Sequence, residues 1–436
     1  MSERAKIRNY LAYAFTEPIR DPLWSHVYLS PGLMGIVGDP SFQKLSRIRQ
    51  LGPTYMVYPG ATHTRLNHSL GVFELAKRMI RALTAFDAAN ELSETGVRSF
   101  LCAALLHDVG HFPYAHSLKE LPLQSHESLT AKAILNTSLR IGIERGEHGD
   151  AEMTAKIVDT ALDSQGNREI EIYRKLLSGV LDPDKLDYLT RDAYFCGIPY
   201  GVQDTDLIIS KLEYLEKVGL VVEEQGIHAV ENVLFSKYLM YRSVYWHRAV
   251  RIATAMIKKA VYMGMTSGDI QPEALYGLDD DSFVSTFGIT NSDSSILISQ
   301  VNKRDFFKTV WEEPFDPSNK NHTRLLDLNA RHQLEKQFSE ELGIAESDSG
   351  SESAIACATA CATELIIDIP EQISFEVDLL IHREDGLFPF VDSGTVFKEE
   401  VVSGFTNSLR KIRIFAPRQY AEKIYKSEVF GRWLKT

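Results

Sequence analysis

The sequence predicts a mainly α protein with a smaller C-terminal α+β region. Three observations carry that prediction. Residues 69–86 place Val72, Ala76, Met79, Ile80 and Leu83 on one face at helical spacing. Residues 100–106, Phe-Leu-Cys-Ala-Ala-Leu-Leu, are apolar all round, as a central buried helix would be. Beyond a polar stretch at 347–353 the chain changes character and short runs rich in β-branched residues appear.

Composition sets the outer limits. A chain of 436 residues can bury a large core, with an appended region beside it. We divide it into a helical core over 1–265, a mixed connecting segment over 266–345 and the α+β region over 346–436. Its 44% hydrophobic and 24% charged residues are ordinary for a globular protein. A net charge of −12 argues against broad nucleic-acid binding, which needs basic surface. It leaves room for a local phosphate pocket. The four cysteines, Cys102, Cys196, Cys357 and Cys361, form no CxxC pair, which suits a reducing compartment. Cys357 and Cys361, one helical turn apart, read as small apolar filler. No apolar run is long enough to span a membrane, and no signal-peptide core follows Met1. A cytoplasmic location is the expectation.

The elements follow in chain order. After the helices at 69–86 and 100–106, Leu181-Asp182-Pro183-Asp184 reads as a helix start. Asp182 is its N-cap and Pro183 its first helical residue. Asp184, Tyr188 and Arg191 then share a face, with Asp187 beside them, and Gly197 offers a C-terminal stop. The runs 220–222 and 227–230 flank Gln225-Gly226 as a hairpin. A long helical stretch is expected over 231–265. In the tail, 365–369, 373–377 and 412–415 read as strands and 418–429 as a closing helix.

Four polar residues stand out against this framework. His107-Asp108 ends the apolar run and leads into Val109-Gly110-His111. Burying a charged group is costly unless it is paired or metal-bound. Adjacent at a helix end, His107 and Asp108 can point at one ion. Gly110 permits a sharp backbone turn, and His111 faces the same cavity if helical geometry persists. Taken alone, His68 fits a cap or a packed histidine as well as a ligand. Near Asp184, Asp182 fits a simple cap, and Asp187 fits an i, i+4 partner for Arg191. Together, two imidazoles and two carboxylates suit a first-row divalent metal.

In this order these residues resemble the HD-domain phosphohydrolases, and more closely the deoxynucleoside triphosphate triphosphohydrolases. The resemblance runs over 21–259 and is most specific in three blocks. The first joins Arg49-Gln50-Leu51-Gly52 through Tyr58-Pro59-Gly60-Ala61-Thr62-His63-Thr64-Arg65 to His68-Ser69-Leu70-Gly71. The second is Leu106-His107-Asp108-Val109-Gly110-His111-Phe112-Pro113-Tyr114-Ala115-His116, followed by His126-Glu127. The third is Asp184-Lys185-Leu186-Asp187-Tyr188 with Arg191-Asp192.

The resemblance implies a helical HD-domain core and a divalent ion (Mn, Mg, Fe, Ni or Zn) on His68, His107, Asp108 and Asp184. It implies that His111 and His126 contact the α-phosphate, that His116 serves near the leaving 5′-oxygen and that Glu127 orients a histidine. Arg65, Lys185, Arg242 and Arg248 match positions that contact the phosphate chain, although Arg242 and Arg248 also fit surface salt bridges. Tyr188 and Asp192 match positions near the sugar. Gln50 and Leu51 match the segment that reads the 3′-hydroxyl and crowds the 2′-position, which would favour deoxyribose.

The implied reaction converts a dNTP to deoxynucleoside and inorganic triphosphate, in a homodimer or homotetramer. Val250 stands where the animal members have a tyrosine. Gly38 and Ser46 replace a carboxylate and a basic residue that hold an activating nucleotide there. The HD pattern equally fits a hydrolase of a nucleoside monophosphate, a guanosine polyphosphate or a cyclic dinucleotide, or a nucleotide sensor with vestigial activity.

Overall fold

The structure is a computed structural model that describes residues 1–84, 91–215, 218–344, 365–373, 375 and 377–434. It is mainly helical, with small sheets at the edges of a helical core. Helix Glu94–Leu106 runs through the centre, and Val97 and residues 100–106 are essentially without solvent exposure. Ser93 caps its start by accepting from Gly96 N. Helix Arg65–Leu83 packs along it and buries Val72, Phe73, Ala76, Met79, Ile80 and Leu83. That is the apolar face expected from the 3.6-residue period.

Helix Pro183–Cys196 lies against Arg65–Leu83. Asp182 caps it by accepting from Lys185 N, Pro183 occupies its first turn and Gly197 ends it at φ 67°. Glycine takes that left-handed conformation without the clash a Cβ would bring. Ahead of these helices, strands β1 (Glu17–Asp21) and β2 (Ser25–Leu29) form an antiparallel hairpin.

Two expectations of local structure need correction. The 220–230 hairpin does not form. Strand β4 (Gly219–Glu223) pairs instead with the preceding β3 (Leu212–Leu215). Residues 227–230 open helix Ile227–Met240, because Ala229, Val230, Val233 and Leu234 are buried at helical rather than alternating spacing. The stretch expected as one helix over 231–265 is two. A π-helical turn, Tyr241–Tyr245, follows Ile227–Met240, and His247 caps a new helix, Arg248–Ser267.

The tail is α+β, and its strands pair with earlier segments. Strands β7 (Leu380–Arg383) and β8 (Gly386–Pro389) extend the β3–β4 hairpin into a sheet of order β3-β4-β7-β8. The pairing of β4 with β7 is parallel. A second sheet sets β9 (Lys411–Ala416) between β5 (Lys308–Pro314) and β6 (Ile366–Asp368), all antiparallel. Of the three expected tail strands, 365–369 and 412–415 are present, whereas Ile373, Phe375 and Val377 belong to none. The closing helix is broken. Arg418–Ile424 and Glu428–Leu434 are separated by Lys426 at φ 52°. The expected loop at 347–353 and Cys357 and Cys361 lie outside the described residues.

Candidate functional site

Three of the four expected metal ligands meet directly. His68, on the first turns of Arg65–Leu83, His107, at the end of Glu94–Leu106, and Asp184, in the first turn of Pro183–Cys196, bring donor atoms within 4.8 Å of one another. Asp108 adjoins them, its Oδ1 3.4 Å from His107 Nε2. Asp108 also groups with His111 and His126 at the same 4.8 Å spacing. Asp184 forms the half-exposed wall of the cluster, and His68 and Asp108 are buried.

The donor set fits a divalent cation. His107 donates Nδ1–H toward Ala104 O, 3.0 Å away, and this leaves Nε2 as the free lone pair. That Nε2 is buried without a hydrogen-bond partner among the described residues. An orphaned acceptor facing two carboxylates is the arrangement that a cation satisfies.

His68 is held from behind. Its Nδ1 lies 2.8 Å from Asp187 Oδ2, and its Nε2 lies 2.9 Å from Asp184 Oδ1. Asp187 in turn accepts from Trp24 Nε1 at 2.6 Å and from Arg191 Nε and Nη2 at 2.8 and 2.9 Å. Arg191 has no exposed surface and also reaches Asp21. A carboxylate on the far nitrogen fixes the tautomer and orientation of a ligating histidine. Burial opposes charge on His68, but its bonds to Asp184 and Asp187 push the imidazolium up to about 10. Gly71 makes the contact possible, since a Cβ there would collide with Asp187 Oδ1 and Arg191 Nη2. Sequence reasoning gave Asp187 only the Arg191 pairing. Nothing in the local spacing pointed to His68, 119 residues away.

His111, His116 and His126 form a second cluster. His111 Nε2 is 3.1 Å from His116 Nε2, and the rings of His111 and His126 stack edge-on with centroids 3.9 Å apart. Desolvation, and then the charge of Arg65, push His111 and His116 well below the ordinary imidazole value. Desolvation also takes His126 down to about 4. His111 and His126 are neutral at pH 7, and His116 stands at the exposed rim of the cluster. Glu127 Oε1 lies 3.3 Å from His126 Nε2. Gly110 holds this cluster together by close approach rather than by a special turn. A Cβ there would strike His126 O and Thr130 N on the adjoining helix His126–Asn136. Thr130 Oγ1 clamps the junction, accepting from Gly110 N and donating to His107 O.

A cavity of about 400 Å³ opens beside the two clusters. Gln50, Leu51, Arg65, His116, Tyr188 and Asp192 line it, as expected from sequence. Arg65 Nη1 donates to Asp108 Oδ2 at 2.7 Å and so links the cavity to the metal ligands. Gln50 Oε1 and Arg65 Nε are buried without partners among the described residues. Asp192 is fully engaged, with His63 Nε2 at 2.9 Å and Tyr245 OH donating at 2.6 Å.

Of the expected phosphate contacts, His111, His126, Lys185, Arg242 and Arg248 are not on the cavity wall. Lys185 donates to Gly179 O and Asp182 Oδ2. Arg242 is exposed and donates to Tyr238 OH, and Arg248 is exposed at a helix start. The wall instead carries Arg49, Lys119, Arg251 and Lys258, together with Tyr241, Tyr245 and Trp246. The π turn brings these aromatics in, a distortion that apolar periodicity does not reveal.

Residues 65–189 match the HD domain and residues 203–429 match the HD associated region. An uncharacterized protein of Methanocaldococcus jannaschii is 32% identical over 331 residues, 74% of this chain and 67% of its own length. An uncharacterized protein of Bacillus subtilis is 35% identical over 56% of this chain and 54% of its own length. The human deoxynucleoside triphosphate triphosphohydrolase is 25% identical over 72% of this chain and 58% of its own length. The chain thus spans little more than half of the last two relatives. A solved phosphohydrolase of Bacteroides thetaiotaomicron shares the fold, with TM-score 0.68 at 24% identity over 92% of this chain and 100% of its own.

Proposed function

The chain belongs to the HD-domain phosphohydrolases that carry an HD associated region, and on that premise we propose that it hydrolyses a dNTP to deoxynucleoside and inorganic triphosphate. One observation carries the substrate assignment. The cavity beside the ligand cluster is walled by Gln50, Leu51, Arg65, His116, Tyr188 and Asp192, from all three sequence blocks of the resemblance. Its volume is in the ordinary range for a small-molecule site.

His68, His107, Asp108 and Asp184 would hold the divalent ion. When bound, such an ion polarises a phosphoryl oxygen and lowers the pKa of water. Arg65, anchored on Asp108, presents its remaining N–H groups to phosphate oxygens in a fixed plane. His111 and His126 flank the α-phosphate as neutral imidazoles, and Glu127 steadies His126. The attacking water must lose a proton as its bond to the α-phosphorus forms, and the paired His111 and His116, with Nε2 atoms 3.1 Å apart, can take up that proton and pass it to the leaving 5′-oxygen. Tyr188 and Asp192 border the sugar. A 2′-hydroxyl against Leu51 loses its hydrogen bonds, which favours deoxyribose.

Lys185, Arg242 and Arg248 would bind phosphate only after movement of their side chains. That observation favours, as a second reading, an HD hydrolase of a nucleotide with fewer phosphates. Turnover of a panel of dNTPs, NTPs, monophosphates and cyclic dinucleotides separates the two. The first reading expects dNTPs to lead and ribonucleotides to trail. Preference for a monophosphate or a cyclic dinucleotide would contradict it. Cytoplasmic location and a homodimer or homotetramer remain part of the proposal. Cys102 and Cys196 are free thiols, and no described helix is long and apolar enough to cross a membrane.

A further inference from the structure

Among the described residues, five cationic side chains line the cavity: Arg49, Arg65, Lys119, Arg251 and Lys258. Four of them face a carboxylate. Arg49 Nη1 is 3.2 Å from Asp280, and Arg65 Nη1 is 2.7 Å from Asp108. Arg251 Nη2 is 2.5 Å from Asp368, and Lys258 pairs with Glu120.

Lys119 is the exception. It is exposed on the cavity wall and makes no hydrogen bond or ion pair with a described residue. Its chain neighbour Glu120 is drawn away by Lys258 and by Arg331, whose Nη1 and Nη2 both lie 3.2 Å from its carboxylate. Among the described residues, the other wall carboxylates are placed elsewhere. Asp192 is held by His63 and Tyr245, and Glu371 lies toward Arg251, Arg410 and Tyr241.

Local geometry aims this charge. Lys119 is the C-cap of the 3₁₀ turn Ala115–Leu118. In a 3₁₀ turn, residues i and i+3 eclipse, so Lys119 stands on the same side as His116. Tyr114 enters the turn at φ 60°, a conformation that costs a non-glycine residue energy and persists at sites where the surroundings fix it. The Lys119 ammonium also acts on His116 and His126, behind the larger effects of desolvation and Arg65. An uncompensated cation on a concave wall raises the positive potential there.

We propose that Lys119 is a substrate-binding residue of this cavity, taking non-bridging phosphoryl oxygens of a polyphosphate beside His116. The proposal rests on the phosphohydrolase reading of the site. Calorimetry with inorganic triphosphate on the metal-loaded full chain tests it without turnover. Lys119→Gln should weaken binding about tenfold, the size of one charge-assisted contact. Lys119→Arg should retain most of the affinity. In turnover of the preferred nucleotide, Lys119→Gln should raise KM by more than it lowers kcat. Equal affinity of wild type and Lys119→Gln for triphosphate, or no binding by wild type, overturns the proposal. Product analysis on wild type judges the dNTP reading separately. Triphosphate binding that depends on Lys119, with no triphosphate released from dNTPs, would sustain this residue and remove that reaction.

Discussion

Asp184 and Asp187 sit on one helix three residues apart and act on the same histidine from opposite sides. Asp184→Ala removes a half-exposed carboxylate proposed as a ligand, so metal content and turnover should fall together while the fold is largely kept. Full activity with full metal content would exclude Asp184 as a ligand. Asp187→Asn leaves Arg191 paired with Asp21 but frees the His68 ring. Metal affinity should fall about 10–100-fold, read by competition with a chelator. Charge on His68 gives a third expectation. A histidine raised to about 10 in the folded protein contributes stability that is complete below its unfolded value near 6.5. That contribution is lost as pH rises through about 10. Ligation needs the unprotonated nitrogen, so metal binding near pH 7.5 should release about one proton, measured by calorimetry in buffers of different ionisation enthalpy. No proton release would contradict the coupling. The His107-Asp108 pair could be singled out from sequence because polar neighbours at the end of an apolar run demand a reason, whereas His68 and Asp184 joined it only in combination. The support from Asp187 could not be singled out, because its i, i+4 partner Arg191 already satisfied the local pattern.

At the scale of elements, the junction between Glu94–Leu106 and His126–Asn136 decides the geometry of the histidine cluster. Gly110 lets the two backbones touch, and Gly110→Ala should push His126 and Glu127 away from the position proposed for the α-phosphate. Catalysis should then fall by about 100-fold while far-ultraviolet circular dichroism is retained, since misplacement of a catalytic group by about 1 Å costs that much. Unchanged kcat would show that the close approach does not position His126. Helices with a clear stripe and a cap, such as Arg65–Leu83 and Pro183–Cys196, were legible. The break at Tyr241–Tyr245 was not, because a π turn inserts one residue without disturbing the apolar content on either side. The expected hairpin failed for a related reason. A short apolar run after Gln225-Gly226 carries no period until Val233 and Leu234 are counted with it.

At the scale of the molecule, the tail is tied to the core through the cavity wall. Arg251, on Arg248–Ser267, makes two bonds to Asp368 of β6, a carboxylate with no exposed surface. Arg251→Ala strands that charge and should cost about 3–5 kcal/mol of stability in denaturant unfolding. A loss below about 1 kcal/mol would mean the two regions are joined by apolar packing alone. Such long-range pairings, like the parallel alignment of β4 with β7, leave no trace in local periodicity. They are why the mainly α class was readable while the sheet topology was not.

The central claim is that the ligand cluster and its cavity serve cleavage between the 5′-oxygen and the α-phosphorus of a deoxynucleotide. Its most direct measurement is chromatographic resolution of the products from each dNTP with Mn- or Mg-loaded protein. The account predicts deoxynucleoside and intact inorganic triphosphate in equal amounts. Release of pyrophosphate or monophosphate without triphosphate would contradict it.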